Sequence, residues 1–199
     1  MKYVLATANP GKINEMREIL TGFNIEIYTR KELGIEIDVD ETGTTFLENA
    51  TLKANAICSA SCMPAIADDS GLIVDALDGK PGVYSSSFGG EELSAAERCA
   101  YLLKMMKNME QRSAKFVCTI VCAFPDGDLI TATGECPGVI TGEPRGTNGF
   151  GYDPVFVPDG YNRTMAELSS AEKNAISHRG TAIDKFAGLL KSYNTGKCV

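Results

Sequence analysis

The sequence predicts an α/β fold built on an elongated mixed β-sheet flanked by helices and divided into two lobes with a central cleft. Three observations carry this expectation. Strand-like and helix-like stretches alternate along the chain, the pattern of layered α/β proteins. Residues 114–124 are apolar on both faces, as a strand covered on both sides must be. Asp126-Gly127-Asp128 then turns that strand back into residues 129–136, so a hairpin joins the parallel units and the sheet is mixed.

Residues 2–6 read as a short apolar strand. The turn Thr7-Ala8-Asn9-Pro10-Gly11-Lys12 follows, and then Ile13, Met16, Ile19 and Leu20 recur at helical spacing. Residues 24–28 alternate and read as a second strand. An acidic loop, Asp38-Val39-Asp40-Glu41-Thr42-Gly43, precedes Thr45, an N-cap with Glu48 as its capping-box partner. The helix it opens spans residues 46–62 and is stopped by Pro64. Residues 65–67 form a strand that runs into a loop at Asp68-Asp69-Ser70-Gly71, and residues 72–77 form another. Ser94 and Glu97 repeat the capping box ahead of a helix carrying Cys99, Leu102, Leu103 and Met106. A glycine-rich run over 146–154 is loop, residues 155–157 are a short strand, and a helix over 181–193 closes the chain.

The 199 residues fit one domain, since domains run to ~100–200 residues. No linker, repeat or low-complexity tract divides them. Nineteen basic and 26 acidic residues give a net charge of −7, which argues against nucleic-acid or anionic-membrane partners. No apolar run reaches the ~18 residues that span a bilayer. Residues 1–10 are too short an apolar run for a secretory leader, so the expected compartment is the cytoplasm. Seven cysteines are an odd number without zinc-ligand flanks. They read as small apolar thiols in a core.

Four segments look like chemistry. Thr7–Lys12 offers backbone N–H groups at a helix start, two polar side chains and a lysine, a set suited to an anion; the plainer alternative is an ordinary βα turn. Asp38, Asp40, Glu41, Asp68 and Asp69 are carboxylates on two segments that would suit Mg²⁺ or a general base; the alternative is a solvated acidic loop with a turn-capping aspartate. Phe150, Gly151, Tyr152 and Asp153 lie where glycines let backbone approach a ligand and aromatics stack on a base; a glycine-rich hairpin with core aromatics is the alternative. Lys173, Ser177, His178 and Arg179 are donors for carbonyl or phosphate oxygens; the alternative is an exposed polar helix start. A Ser–His–Asp triad around His178 lacks the Gly-x-Ser-x-Gly elbow.

In combination these segments resemble the inosine/xanthosine triphosphate pyrophosphatase family. The resemblance rests on Thr7-x-Asn9-x-x-Lys12, Glu41-Thr42-Gly43-x-Thr45-Phe46-x-Glu48-Asn49-Ala50, Ala67-Asp68-Asp69-Ser70-Gly71-Leu72, Pro81-Gly82-Val83-Tyr84-Ser85, Gly149-Phe150-Gly151-Tyr152-Asp153-Pro154 and Ile176-Ser177-His178-Arg179. It covers essentially the whole chain. Asn148 stands where a glycine is usual, and Asp40 where a glutamate is common.

The resemblance implies a two-lobed mixed α/β fold with the active site in the cleft, a homodimer, and Mg²⁺-dependent hydrolysis of ITP, dITP and XTP to the monophosphate and pyrophosphate. The implied role is to keep deaminated bases out of DNA and RNA. Carried onto this sequence, Thr7, Ala8, Asn9, Pro10, Gly11 and Lys12 would grip the triphosphate, and Asp69 would be the general base. Asp69 with Asp40 or Glu41, Glu41 being favoured, would hold Mg²⁺. Ser70 would touch substrate, Phe150 to Asp153 would line the base and sugar pocket, and Lys173, His178 and Arg179 would read the base. The alternatives are a Maf-like pyrophosphatase acting on modified nucleotides and a nucleotide-binding regulator without turnover.

Overall fold

Local signals set the helix ends. The computed structural model describes residues 2–23 and 25–196. Both expected capping boxes form. Thr45 caps helix α2 (Phe46–Ser61) with Glu48, and Ser94 caps α3 (Ala95–Met105) with Glu97. Cys62 ends α2 in the left-handed region. Asn9 caps α1 (Pro10–Leu20), with Pro10 in the first turn, where a missing N–H costs nothing. A further capping box, Ser169 with Glu172, opens the short helix α4 (Ser170–Ile176), which the sequence reading passed over. The last helix, α5 (His178–Gly196), begins at His178 rather than at residue 181.

Among the described residues the strands are β1 (Lys2–Leu5), β2 (Glu26–Thr29), β3 (Ala65–Val74), β4 (Ser113–Ala123), β5 (Leu129–Ile140) and β6 (Phe156–Pro158). They form one sheet in the order β2-β1-β3-β4-β5-β6. β1 pairs in parallel with β2 and β3, and β5 pairs antiparallel with β6, so the sheet is mixed, as expected. Asn24, placed in the second strand by the sequence, and Cys198 lie outside the described residues.

Two expectations are corrected. Residues 65–67 and 72–77 are not two strands around a loop: β3 runs unbroken through Asp68-Asp69-Ser70-Gly71, and residues 75–77 form a 3₁₀ turn. The aspartates read as a break, yet their charges have partners from distant segments that let them stay in a buried strand. β5 continues through Pro137 and Gly138 to Ile140 with strict exposed–buried alternation. A Cβ on Gly138 would overlap the Val157 carbonyl, so glycine is what admits β6 there.

The chain divides into two compact units. The first comprises Met1–Asp69, Cys118–Gly134 and Arg179–Val199, and the second Ser70–Val117 and Glu135–His178. In the first, the period of two sorts the strand residues. Tyr3, Leu5 and Ile66 pack with Met16 and Leu20 of α1 and with Ile183 and Phe186 of α5. Val4, Ala65 and Ala67 pack with Ala50, Ala54 and Ile57 of α2. α1 and α5 thus cover one face of these strands and α2 the other. The second unit has its own core of Leu72, Val74, Leu102, Met106, Phe116, Phe156 and Met165.

Five of the six described cysteines are buried and all six are free thiols. Burial pushes Cys99 and Cys136 up to about 11 and Cys118 to about 12, which keeps them protonated and inert. Among the described residues no helix is long and apolar enough to cross a membrane.

Candidate functional site

In the first unit the site is built on β3. Asp68 follows Ile66 on the α1/α5 side of the strand, and Asp69 follows Ala67 on the α2 side. Both are buried. Asp68 Oδ2 lies 3.0 Å from Lys12 Nζ and 3.0 Å from Arg179 Nη2. Arg179 also pairs with Glu15 of α1. Burial alone would raise the Asp68 carboxyl; Lys12, Arg179 and Lys53 overcome it and hold the group well below the usual carboxylate range.

Asp69 has the opposite balance. Its Oδ1 accepts from Lys53 Nζ at 3.0 Å, and its Oδ2 faces Asn49 Nδ2 at 3.4 Å. Burial outweighs Lys53 and Lys12, Glu41 adds like-charge repulsion, and the carboxyl is raised to about 6. Glu41 Oε1 reaches the same Lys53 ammonium at 3.2 Å, so Glu41 and Asp69 meet on one cation. Asp40 is exposed, and its carbonyl accepts from Thr42 N–H. Between the two adjacent acids, the geometry brings Glu41 to Asp69.

Lys53 went unread in the sequence, although a signal was there. It shares one face of α2 with Asn49, Ala50, Ala54 and Ile57, so it is a charge set within an apolar stripe. It is buried, yet its acidity is weakened. Burial pulls its pKa down, and Asp69, Asp68 and Glu41 more than restore it.

The turn before α1 is half-buried at Thr7, Gly11 and Lys12 and exposed from Ala8 to Pro10. The N–H groups expected to await an anion are engaged within the turn. Asn9 Oδ1 accepts from Gly11 N at 2.9 Å and from Lys12 N at 3.3 Å, and Thr7 Oγ1 accepts from Asn9 N. An anion here would exchange places with the Asn9 side chain and draw Lys12 from Asp68.

In the second unit, Asp153, Lys173 and Phe150 converge. Asp153 Oδ2 accepts from Lys173 Nζ at 2.5 Å and from Phe150 N at 2.8 Å. The same ammonium lies 4.7 Å from the Phe150 ring centroid, a cation–π distance. Gly149, at φ +74°, leaves room for this pair, since a Cβ would overlap Asp153 Oδ2. Gly151 is also left-handed, at φ 62°. Tyr152 is buried, and its hydroxyl donates to the Ser85 carbonyl at 2.9 Å. Burial raises the phenol, which remains protonated.

His178 stacks on Phe116, centroids 4.8 Å apart at 13°. Ser70 is half-buried on β3. The plainer alternative for residues 173–179, an exposed polar helix start, does not hold: Lys173, Ser177, His178 and Arg179 are all buried. The unit boundary separates His178 from Arg179. Lys12, Asp68 and Arg179 gather in the first unit, as do Glu41, Lys53 and Asp69; Phe150, Asp153 and Lys173 gather in the second.

No cluster of three or more metal-ligating side chains occurs among the described residues. Glu41 and Asp69 nonetheless fit Mg²⁺, which takes one or two carboxylates and keeps waters and substrate oxygens for the rest.

Comparison with known proteins gives a consistent picture. A family model described as the Ham1 family matches residues 3–189. The dITP/XTP pyrophosphatase of Aquifex aeolicus (strain VF5) is 51% identical, over 96% of this chain and 98% of that protein. The dITP/XTP pyrophosphatase of Escherichia coli (strain K12) is 44% identical, over 96% and 98%. The solved structure of the Staphylococcus aureus Ham1 protein superposes with a TM-score of 0.87 at 40% identity, covering 97% of this chain and all of that one.

Proposed function

The chain belongs to the Ham1 family, and from that membership we propose that it is a nucleoside triphosphate pyrophosphatase for deaminated purine nucleotides. It cleaves ITP, dITP and XTP between the α and β phosphates, releasing the monophosphate and pyrophosphate. The cellular benefit is a nucleotide pool cleared of bases that would otherwise enter DNA and RNA.

The observation that carries the mechanism is the Asp69–Lys53–Glu41 group. Water needs a base, and Asp69, whose carboxyl burial raises to about 6 in the metal-free protein, is ionised at neutral pH and fixed at the site. Lys53 holds Asp69 Oδ1, leaving the carboxylate fixed in orientation. Glu41 and Asp69 would hold Mg²⁺, which supplies charge stabilisation to the phosphate oxygens. Lys12 adds a cation for the triphosphate once it leaves Asp68, and Arg179 then keeps Asp68 paired.

Rejection of adenine falls to donors; guanine shares the 6-carbonyl, so its rejection rests on exclusion of its 2-amino group. Inosine and xanthine present a carbonyl at purine position 6 where adenine presents an amine. Fixed donors accept the first and stay unpaired against the second, a mismatch worth ~10⁴–10⁵ in discrimination. Lys173, held by Asp153 over the Phe150 ring, is such a donor.

A nucleotide panel with Mg²⁺ tests the proposal: ITP, dITP, XTP, the four common triphosphates and ADP, with pyrophosphate and orthophosphate assayed separately. Pyrophosphate from dITP or XTP, with little from ATP or GTP, is expected. Orthophosphate alone, or a preference for a methylated pyrimidine triphosphate, would refute it.

A further inference from the structure

Asn49 lies on α2 one turn before Lys53 and is 2% exposed. Its Oδ1 accepts the Gly43 N–H at 2.8 Å, and its Nδ2 donates to Asp69 Oδ2 at 3.4 Å. Chemistry fixes this orientation. A backbone N–H only donates, so the amide oxygen must face Gly43 and the NH₂ must face the carboxylate. Lys53 holds the other oxygen of Asp69 at 3.0 Å. Two side chains four residues apart on one helix face therefore grip both oxygens of the same carboxylate.

The other end of the bridge is equally confined. A Cβ on Gly43 would come within 2.6 Å of both Asn49 Oδ1 and Glu48 Cβ, so the turn closes directly onto the amide. Glu48 Oε2 meanwhile takes the N–H groups of Thr44 and Thr45 at 2.7 and 3.1 Å. The turn that carries Glu41, two residues before Gly43, is thus tied to the start of α2 from both sides.

We propose that Asn49 is a positioning residue of the hydrolytic site: it locks the acidic turn at Gly43 to the Asp69 carboxylate, so that Glu41 and Asp69 are presented in one fixed arrangement. The proposal rests on Asp69 being the base.

Amide exchange at Gly43 and steady-state dITP turnover test it together. In Asn49→Ala the Gly43 amide should exchange at least about tenfold faster than in the wild type. Its kcat should fall ~10–100-fold, the usual cost of a catalytic group displaced by about an ångström, with KM nearly unchanged. Asn49→Leu, close in size but apolar, should behave alike and guards against a folding failure. In Asn49→Asp a carboxylate oxygen still accepts from Gly43 but nothing donates to Asp69. Gly43 exchange should therefore stay slow while kcat falls.

Unchanged Gly43 exchange in both Asn49→Ala and Asn49→Leu would overturn the proposal. So would a loss of kcat that disappears once rates are divided by the concentration of folded enzyme. Asp69→Asn, run alongside, separates the two readings. Full turnover there removes Asp69 as base and the catalytic half of this proposal with it. A normal Asp69→Asn loss beside a wild-type kcat in Asn49→Asp overturns the Asn49 proposal alone.

Discussion

Asp68 and Asp69 are consecutive on β3 and have opposite electrostatic surroundings. Asp68 Oδ2 is 3.0 Å from both Lys12 and Arg179, whereas Asp69 Oδ1 has Lys53 at 3.0 Å and shares it with Glu41. The period of two in a strand sends the pair to opposite faces. On one face cations win and the carboxyl is held far below its usual range; on the other burial wins and it rises to about 6.

Substitution should separate the two roles. Asp69→Asn should cut kcat by at least ~10²-fold, since it removes the proton acceptor. Its fold should persist, because the amide is isosteric and Lys53 keeps Glu41. Asp68→Asn should instead lower stability by about 3–5 kcal/mol, the typical cost of breaking a buried ion pair. Pyrophosphate release and urea unfolding, measured on both variants, check the contrast.

Arg179 has a fully buried side chain that meets Asp68 and Glu15 together. Arg179→Met removes the fork from Asp68 and Glu15. A loss of about 3–5 kcal/mol in urea unfolding is expected. Arg179→Lys should recover only part of it, because an ammonium cannot match two carboxylates as a planar fork does.

Glu41 is nearly half exposed, so its neutralisation should spare the fold. Glu41→Gln should raise the Mg²⁺ concentration for half-maximal activity by about tenfold or more. Asp40→Asn should shift it far less, since Asp40 is not brought to Asp69. A Mg²⁺ titration at fixed dITP checks both.

Gly149→Ala forces a side chain into a left-handed position and onto the Asp153 carboxylate. It should displace Lys173 and the Phe150 backbone together. The expected result is a KM for dITP raised by about tenfold and stability lowered by more than ~1 kcal/mol. Steady-state kinetics and thermal unfolding read the two effects.

What could be read from the sequence was local. Thr45 with Glu48, Ser94 with Glu97 and the Asn9-Pro10 helix start each act within four residues, so spacing alone reveals them. What could not be read depended on distant partners. Two adjacent aspartates in an apolar run look like a loop until Lys12, Arg179 and Lys53 are brought to them from three other elements. Lys53 and Asn49 sit in a helix whose buried face is plain from Ala50, Ala54 and Ile57, yet it is Asp69 of β3 and the turn at Glu41 and Gly43 that give them a purpose. Arg179 follows the same logic: nothing near it in sequence announces that its charge is fully buried.

The sign of the Asp69 shift makes one measurement decisive. Its folded pKa lies above the unfolded value, so the folded state binds the proton more tightly. The stability it contributes is present below the ordinary carboxylate pKa and is lost as pH rises through about 6. Asp68, depressed, contributes stability at neutral pH that is lost only in strong acid. A carbon-13 titration of the side-chain carboxyls in the metal-free protein, with Asp69 assigned through Asp69→Asn, resolves both groups. A midpoint near 6 is expected for Asp69, with no titration of Asp68 in the same range. An Asp69 midpoint at or below the ordinary aspartate value of about 3.9 would contradict that expectation.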